Sequence, residues 1–417
     1  MKFSITSLQN IALIFLCLWI TSPILTPNDL ARLAALAALG AWVGLELSRP
    51  NGIFWRPTLP VFGALLFIFY DLVLWYGLRE WGLLSHIQMY ILLTLLIVYE
   101  SRRHDPRSLA PVFWAMMVTL PIWFFATFRA FDTFGSHAAR TVVRSSEEAV
   151  ELMQQGVGGY SLIYSGLILV PIMISMTMQR RKFDMSSAPR PLRLLPVITL
   201  VLIVAVVLNA GFSIAILLLM ATLMISLAYL KPRPWKLVVA PPLAVVLILV
   251  APIFLIHIVD FLMPFAEGTN FALKLRDIRL SLELGGSIGT VNDRTERYLR
   301  SINSFLENPL LGVMGDRGVG KHSEYLDHFA QRGVLFGALY MALLLYVPLR
   351  MLRRTPGMLG MTGGVLTIII LLPFLNSLTM TVGVALFIMF PAACGLTMGF
   401  GKKPTARTLI QGQVSPA

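Results

Sequence analysis

Apolar runs long enough to cross a bilayer recur along almost the whole chain, and nothing else constrains its fold as tightly. A membrane-spanning helix needs about 20 mostly apolar residues. Candidate runs lie at roughly 8–25, 29–48, 58–78, 82–99, 109–128, 158–178, 193–209, 211–230, 236–259, 333–350, 357–379 and 382–400. The sequence therefore predicts an all-α polytopic membrane protein with about twelve transmembrane helices. Of the 417 residues, 57% are hydrophobic and 13% charged, about half the charged share usual in soluble domains. Three parts follow. Residues 1–259 carry the first nine spans and a smaller outer loop at about 129–157. Residues 260–332 form a long outer loop, and residues 333–417 hold three more spans and a tail. The first run follows Lys2 and lacks a small-residue cleavage site, so it reads as a retained helix.

The net charge is +13. The basic residues sit in short clusters between apolar runs, a pattern that orients a membrane protein and needs no nucleic-acid partner. With the N-terminus inside, 20 of the 34 Lys and Arg fall in short inner loops or tails, and Arg32 and Arg79 are alone in the short outer ones. Both termini are thus expected to be cytoplasmic. Cys17 and Cys394 lie within apolar runs and predict neither a disulfide nor a thiolate metal site.

The long outer loop is where chemistry is expected. Phe271, Leu275, Ile278 and Leu282 fall at helical spacing. A second amphipathic helix is expected to start at Asp293, with Glu296 completing a capping box, and to end at Asn308-Pro309. Nine Lys or Arg lie in this loop, among them Lys274, Arg276, Arg279, Arg317, Lys321 and Arg332. Arg294, Arg297 and Arg300 are three apart and form a drifting stripe on one helix. Guanidinium forks match phosphate oxygens in pairs, so the stripe suits a lipid-linked phosphate. It equally suits anionic headgroups or pairing with the loop's acids. His322 has an imidazole able to accept a proton near neutral pH, kept neutral by nearby cations; a surface histidine at a helix start is the plainer reading. Glu324 and His328 share a helix face, but two ligands are too few for zinc, and no Asp-x-Asp pair occurs in the outer loops. No metal and no cofactor is expected. Asp71 is an intramembrane carboxylate and so a candidate functional group, or a structural partner of Arg79. His86, His257, Asn209 and Asn376 read as structural. Gly333 and Gly337 form a small-xxx-small pair suited to helix packing.

The run from Arg294 through NPLLGVMG (308–315) to HSEYLDHFAQRGVLFG (322–337) resembles the signature of the O-antigen ligase and polymerase superfamily. In that family an Arg opens an amphipathic segment, an Asn-Pro-Leu-x-Gly turn follows, and a His-x-x-Tyr/Leu-Leu helix ends in Gly-x-x-x-Gly. The likeness covers about 45 residues. It implies a GT-C-like membrane glycosyltransferase of the bacterial inner membrane, with its active site on the periplasmic face. The donor would be a glycan on undecaprenyl pyrophosphate. For a ligase the acceptor would be a sugar hydroxyl of lipid A-core; for a polymerase, a second lipid-linked glycan. The ligase is the preferred expectation, and a polysaccharide or lipid transporter is the rival from another class. The resemblance gives His322 the role of base. It gives Arg294, with Arg276, Arg279, Arg297 and Lys321, the pyrophosphate, with Glu324 and Asp71 in support. The family also carries a Ser-Arg pair at a mid-chain outer turn. The corresponding turn here, LNAGFS (208–213), has no arginine, which makes Arg140 and Arg144 candidates for that role.

Overall fold

The computed structural model describes residues 4–78, 86–135, 138–142, 146–184, 190–210, 212–230, 290–315 and 318–397, with scattered positions between 257 and 280. Among them the chain is helical throughout, apart from one isolated bridge between Phe183 and Thr397. The helices are α1 (Ile5–Thr21), α2 (Asp29–Leu47), α3 (Leu59–Leu78), α4 (Ile87–Ser101) and α5 (Ala110–Phe134). The short α6 (Ala138–Thr141) and α7 (Glu147–Gln154) precede α8 (Tyr160–Met178), α9 (Leu195–Asn209) and α10 (Ser213–Ala228). Then come α11 (Thr290–Glu307), α12 (Glu324–Arg354), α13 (Leu359–Leu375) and α14 (Met380–Gly395), the last with a π-helical middle.

The expectation of twelve spans is corrected here. Among the described residues, six helical segments are long and apolar enough to cross a membrane: Asp29–Leu47, Pro106–Phe134, Tyr160–Met178, Leu192–Asn209, Glu324–Arg354 and Pro356–Leu375. Five further apolar helices are shorter. Hydropathy marks apolar runs, whereas caps and breakers set helix length. The first run continues to residue 25, but α1 stops after 17 residues, where Ser22 is already extended and Pro23 follows. The run 211–230 yields only the 16 residues of α10. The run 236–259 lies almost wholly outside the described residues, as does most of the first expected loop helix near 271–284.

The interior is built around α8 and α14. Fifteen of the 19 residues of α8 are buried, and every residue of α14 after Met380 is buried. Helices that are apolar on all sides belong in such a core. The outer helices do the reverse. Leu30, Leu33, Leu59, Phe62, Phe69 and Val201 are all exposed, and a continuous apolar outer surface of that kind belongs in lipid. The chain is a membrane-associated helical protein.

The two ends of α12 mark two poles of the molecule. At its C-terminal end Arg350 donates to Glu100 at 3.0 Å, and Tyr346 and Thr58 donate to the same carboxylate at 2.9 and 2.7 Å. Nearby, Glu46 accepts from Gln9 at 2.8 Å and Arg49 at 3.3 Å. The N-terminal end of α12 carries α11 and the residues singled out in the sequence.

α11 begins at Thr290, three residues ahead of Asp293. Asp293 is therefore no cap; it stands in the first turn, where a carboxylate favours the helix dipole. Gly333 breaks α12 with φ 69° and ψ −174°. The break folds the first two turns back, so a Cβ on Gly337 would meet Phe329 of the same helix at 2.7 Å. The Gly333–Gly337 pair thus makes a kink, not a contact between separate helices.

Candidate functional site

The turn between α11 and α12 is held against the kink by backbone pairing. Val313 N–H donates to Ala330 O at 2.8 Å, Met314 N–H to Gln331 O at 2.9 Å and Val334 N–H to Pro309 O at 2.8 Å. A Cβ on Gly333 would run into the Leu310 carbonyl, so the close approach requires glycine. One hydroxyl ties the rest together. Ser301 on α11 donates to Asp327 at 2.6 Å and accepts from Gly320 N–H at 2.9 Å. Asp327 also accepts from Ser323 N–H at 3.0 Å. Ser323 caps α12 by accepting from Leu326 N–H, a contribution of about 1 kcal/mol.

This scaffold fixes His322 between the two helices. Its ring centroid is 6.2 Å from that of Tyr298, whose hydroxyl donates to Leu375 O at 3.1 Å. The Nε2 of His322 is buried and has no hydrogen-bond partner among the described residues. Burial, then Arg294 and Arg297, hold the imidazole pKa below its ordinary value, which favours the neutral, proton-accepting form. Tyr298 is pushed up by burial, against the pull of Arg294, to which it is hydrogen-bonded. Arg294 is half-buried, while Arg297 and Arg300 are exposed, as the drift of a three-residue spacing requires.

Arg140 lies against the mid-chain turn. Its guanidinium carbon lies 5.3 Å from the Phe212 ring centroid, within the mid-chain turn that lacks an arginine. Phe212 stacks on Tyr160 at 4.3 Å, and Tyr160 lies 5.7 Å from Tyr164. Tyr164 accepts from Asn376 Nδ2 at 2.6 Å and feels the charge of Arg294. An aromatic row therefore links the first outer loop, the mid-chain turn and the Arg294–His322 corner. Asn376, read from sequence as structural, is part of this row. Lys321 is exposed and adopts φ 57° beside His322.

Arg276, Arg279 and Glu324 are not brought here. Arg279 pairs with Asp260 at 3.3 Å, and Arg276 is exposed beside Leu275, which packs with Val259 in a small separate cluster. Arg144, Lys274 and Arg317 lie outside the described residues. Glu324 faces away from His322: it accepts from Tyr340 at 2.6 Å and Leu378 N–H at 2.9 Å, and meets His328 Nε2 at 3.1 Å. Among the described residues no three His, Cys, Asp or Glu converge as a metal site would require.

Asp71 belongs to a second constellation. Its expected partner Arg79 lies outside the described residues, and its partner is Arg332, which donates Nε to Oδ1 at 2.9 Å and adds an Nη2 contact. The other oxygen accepts from Tyr90 at 2.6 Å and meets His86 Nδ1 at 2.8 Å. Arg332 Nη1 lies 2.8 Å from His328 Nδ1. Arg donates only, so that nitrogen accepts, and Nε2–H of His328 is left to donate to Glu324. Sequence reasoning missed Arg332 as Asp71's partner. The available signal was an arginine one residue before a membrane entry, a place where an ion pair with an intramembrane acid is favoured.

Compared with known proteins, the chain matches no family model and no curated protein sequence.

Proposed function

We propose that the chain is a glycosyltransferase of the bacterial inner membrane that moves an O-antigen glycan from undecaprenyl pyrophosphate to a sugar hydroxyl of lipid A-core. The observation that carries this reading is the partnerless Nε2 of His322, held in its neutral form under Arg294 and Arg297. It is supported by the sequence resemblance over 294–337 and by the arrival of Arg140 at the mid-chain turn. The clustering of basic residues in the opposite loops would put this pole on the periplasmic face.

In this mechanism the acceptor hydroxyl gives its proton to His322 Nε2 as its oxygen bonds the anomeric carbon of the glycan. The bond from that carbon to the pyrophosphate oxygen breaks, and the electron pair stays on the phosphate. Arg294, with Arg297 and Arg140, meets the growing charge. Fixed guanidiniums do this without reorganising, which is the main source of such stabilisation. Base catalysis by a positioned imidazole contributes about 10²–10⁴-fold.

The test is the lipopolysaccharide profile of cells in which the only copy is His322→Ala. Capped lipopolysaccharide should vanish and long lipid-linked polymer accumulate, with the protein still in the membrane. Normal capping overturns the reading; caps of a single repeat indicate loss of a polymerase instead.

A further inference from the structure

Behind the His322 corner, on the outward side of α11, lies a hollow of about 550 Å³. That size falls within the roughly 300–1,000 Å³ of small-molecule sites. Its walls are Asp293, Glu296, Arg297, Arg300 and Lys321, and its floor is the Gly318–Gly320 backbone. The floor is a built feature. Ser304 donates to Gly318 O at 2.8 Å, Ser301 receives Gly320 N–H, and a Cβ on Gly320 would collide with the Arg297 backbone. Lys321 is held at a positive φ at the rim, a strained conformation that a non-glycine residue keeps only where its surroundings impose it.

The lining selects a ligand class. Among the described residues Val319 is the only apolar one in the lining and no aromatic ring faces it, so these walls offer no surface to an acyl chain or a nucleobase. Three cations suit one anionic group. Two carboxylates suit ligand hydroxyls, since an ionised carboxylate can only accept. The glycine floor lets a ring approach closely. We propose that this hollow binds a saccharide bearing an anionic substituent, a phosphate or a carboxylate, and so selects the acceptor. The acceptor role rests on the transfer reading above, because Arg297 borders both the hollow and His322; the binding itself does not.

The test is equilibrium binding to the full chain in lipid nanodiscs of four probes: a hexose 6-phosphate, a hexuronate, the neutral hexose and inorganic phosphate. Hexose 6-phosphate or hexuronate should bind about tenfold more tightly than the neutral hexose, and Arg300→Gln should remove that advantage while Arg32→Gln keeps it. Whichever of the two binds better names the substituent. Glu296→Ala separates a sugar site from a simple cation patch. It should weaken hexose 6-phosphate relative to inorganic phosphate, because both escape the same negative charge while only the sugar loses a hydroxyl acceptor. Neutral hexose binding as tightly as the charged sugars overturns the proposal, as does Arg300→Gln behaving as wild type. Inorganic phosphate matching hexose 6-phosphate overturns it too. His322→Ala should bind all four probes normally, so a failure of the transfer reading leaves this result standing, and the reverse.

Discussion

Two groups of charges sit at the same pole and are built on opposite plans. Around Arg332 the charged groups and their histidine partners are answered, while the Tyr70 hydroxyl beside them has no hydrogen-bond partner among the described residues. Asp71, His86, Tyr90, His328, Glu324 and Tyr340 exchange hydrogen bonds in a closed set, and Arg332 and Asp71 are almost wholly buried. Along α11 the charges are half-buried or exposed, and the imidazole beside them has a nitrogen with no partner among the described residues. A satisfied buried network fixes geometry and has nothing left to give a substrate. An unsatisfied group costs stability and is kept where a ligand completes it. On the proposed reading, the Arg332 set serves architecture and the α11 set serves chemistry.

The largest expected effect tests the first half. Arg332→Met or Asp71→Asn leaves one buried charge without its partner, at a cost of about 3–5 kcal/mol. Either variant should fall sharply in thermal midpoint or fail to accumulate. The double variant Asp71→Leu with Arg332→Met should recover much of that loss, because no lone charge remains. Single variants of wild-type stability that lack transfer would make Asp71 and Arg332 functional and dissolve the contrast.

Next in size is the chemical half. His322→Ala should lower transfer by about 10²–10⁴-fold and lower the thermal midpoint far less than the Arg332 variants, since Nε2 holds no hydrogen bond among the described residues. Arg294→Lys keeps the charge and loses the fork, so transfer should fall while the protein remains folded. A fall in midpoint comparable to that of the Arg332 variants would move His322 into the architecture.

Smaller still is the effect at the joint between the two regions. Gly333→Ala must adopt a positive φ and meet the Leu310 carbonyl, so it should cost more than about 1 kcal/mol. Gly40, inside α2 with open space around it, gives the opposite sign: Gly40→Ala should be neutral or stabilising by up to about 1 kcal/mol. A tolerated Gly333→Ala would mean that the kink does not hold the turn against α12.

How far these regions could be read from sequence depends on the range of their interactions. α11 was legible, because its stripe and its Asn-Pro stop are local, and so was the pairing of Glu324 with His328 at one helical turn. The Asp71–Arg332 pair was not legible: 261 positions separate the partners, and nothing in either segment names the other. The meeting of Arg140 with the turn at Phe212 needed the packed structure as well, although both segments had been marked. The count of spans was misread for a different reason. Hydropathy reports composition, while helix ends follow from residues such as Ser22 and Pro23, which a window average absorbs.

The smallest effect is the most specific to the α11 side. The pKa of His322 is lowered by burial and then by Arg294 and Arg297, so the imidazole stays neutral below the ordinary value of about 6.5. Transfer by wild type should therefore hold into mildly acidic pH, and its acid limb should lie below that value. Arg297→Gln removes one cation, raises the pKa and should move the limb upward. Stability obeys the same sign. Below about pH 6.5 the unfolded chain takes up a proton that the folded imidazole resists, so the fold loses stability as pH falls toward the lowered folded pKa. His322→Gln should remove that part of the acid sensitivity, while neutral-pH stability is unaffected. An acid limb that stays put in Arg297→Gln would mean that the arginine stripe does not act on the imidazole, and the separation of the two charge groups would lose its chemical half.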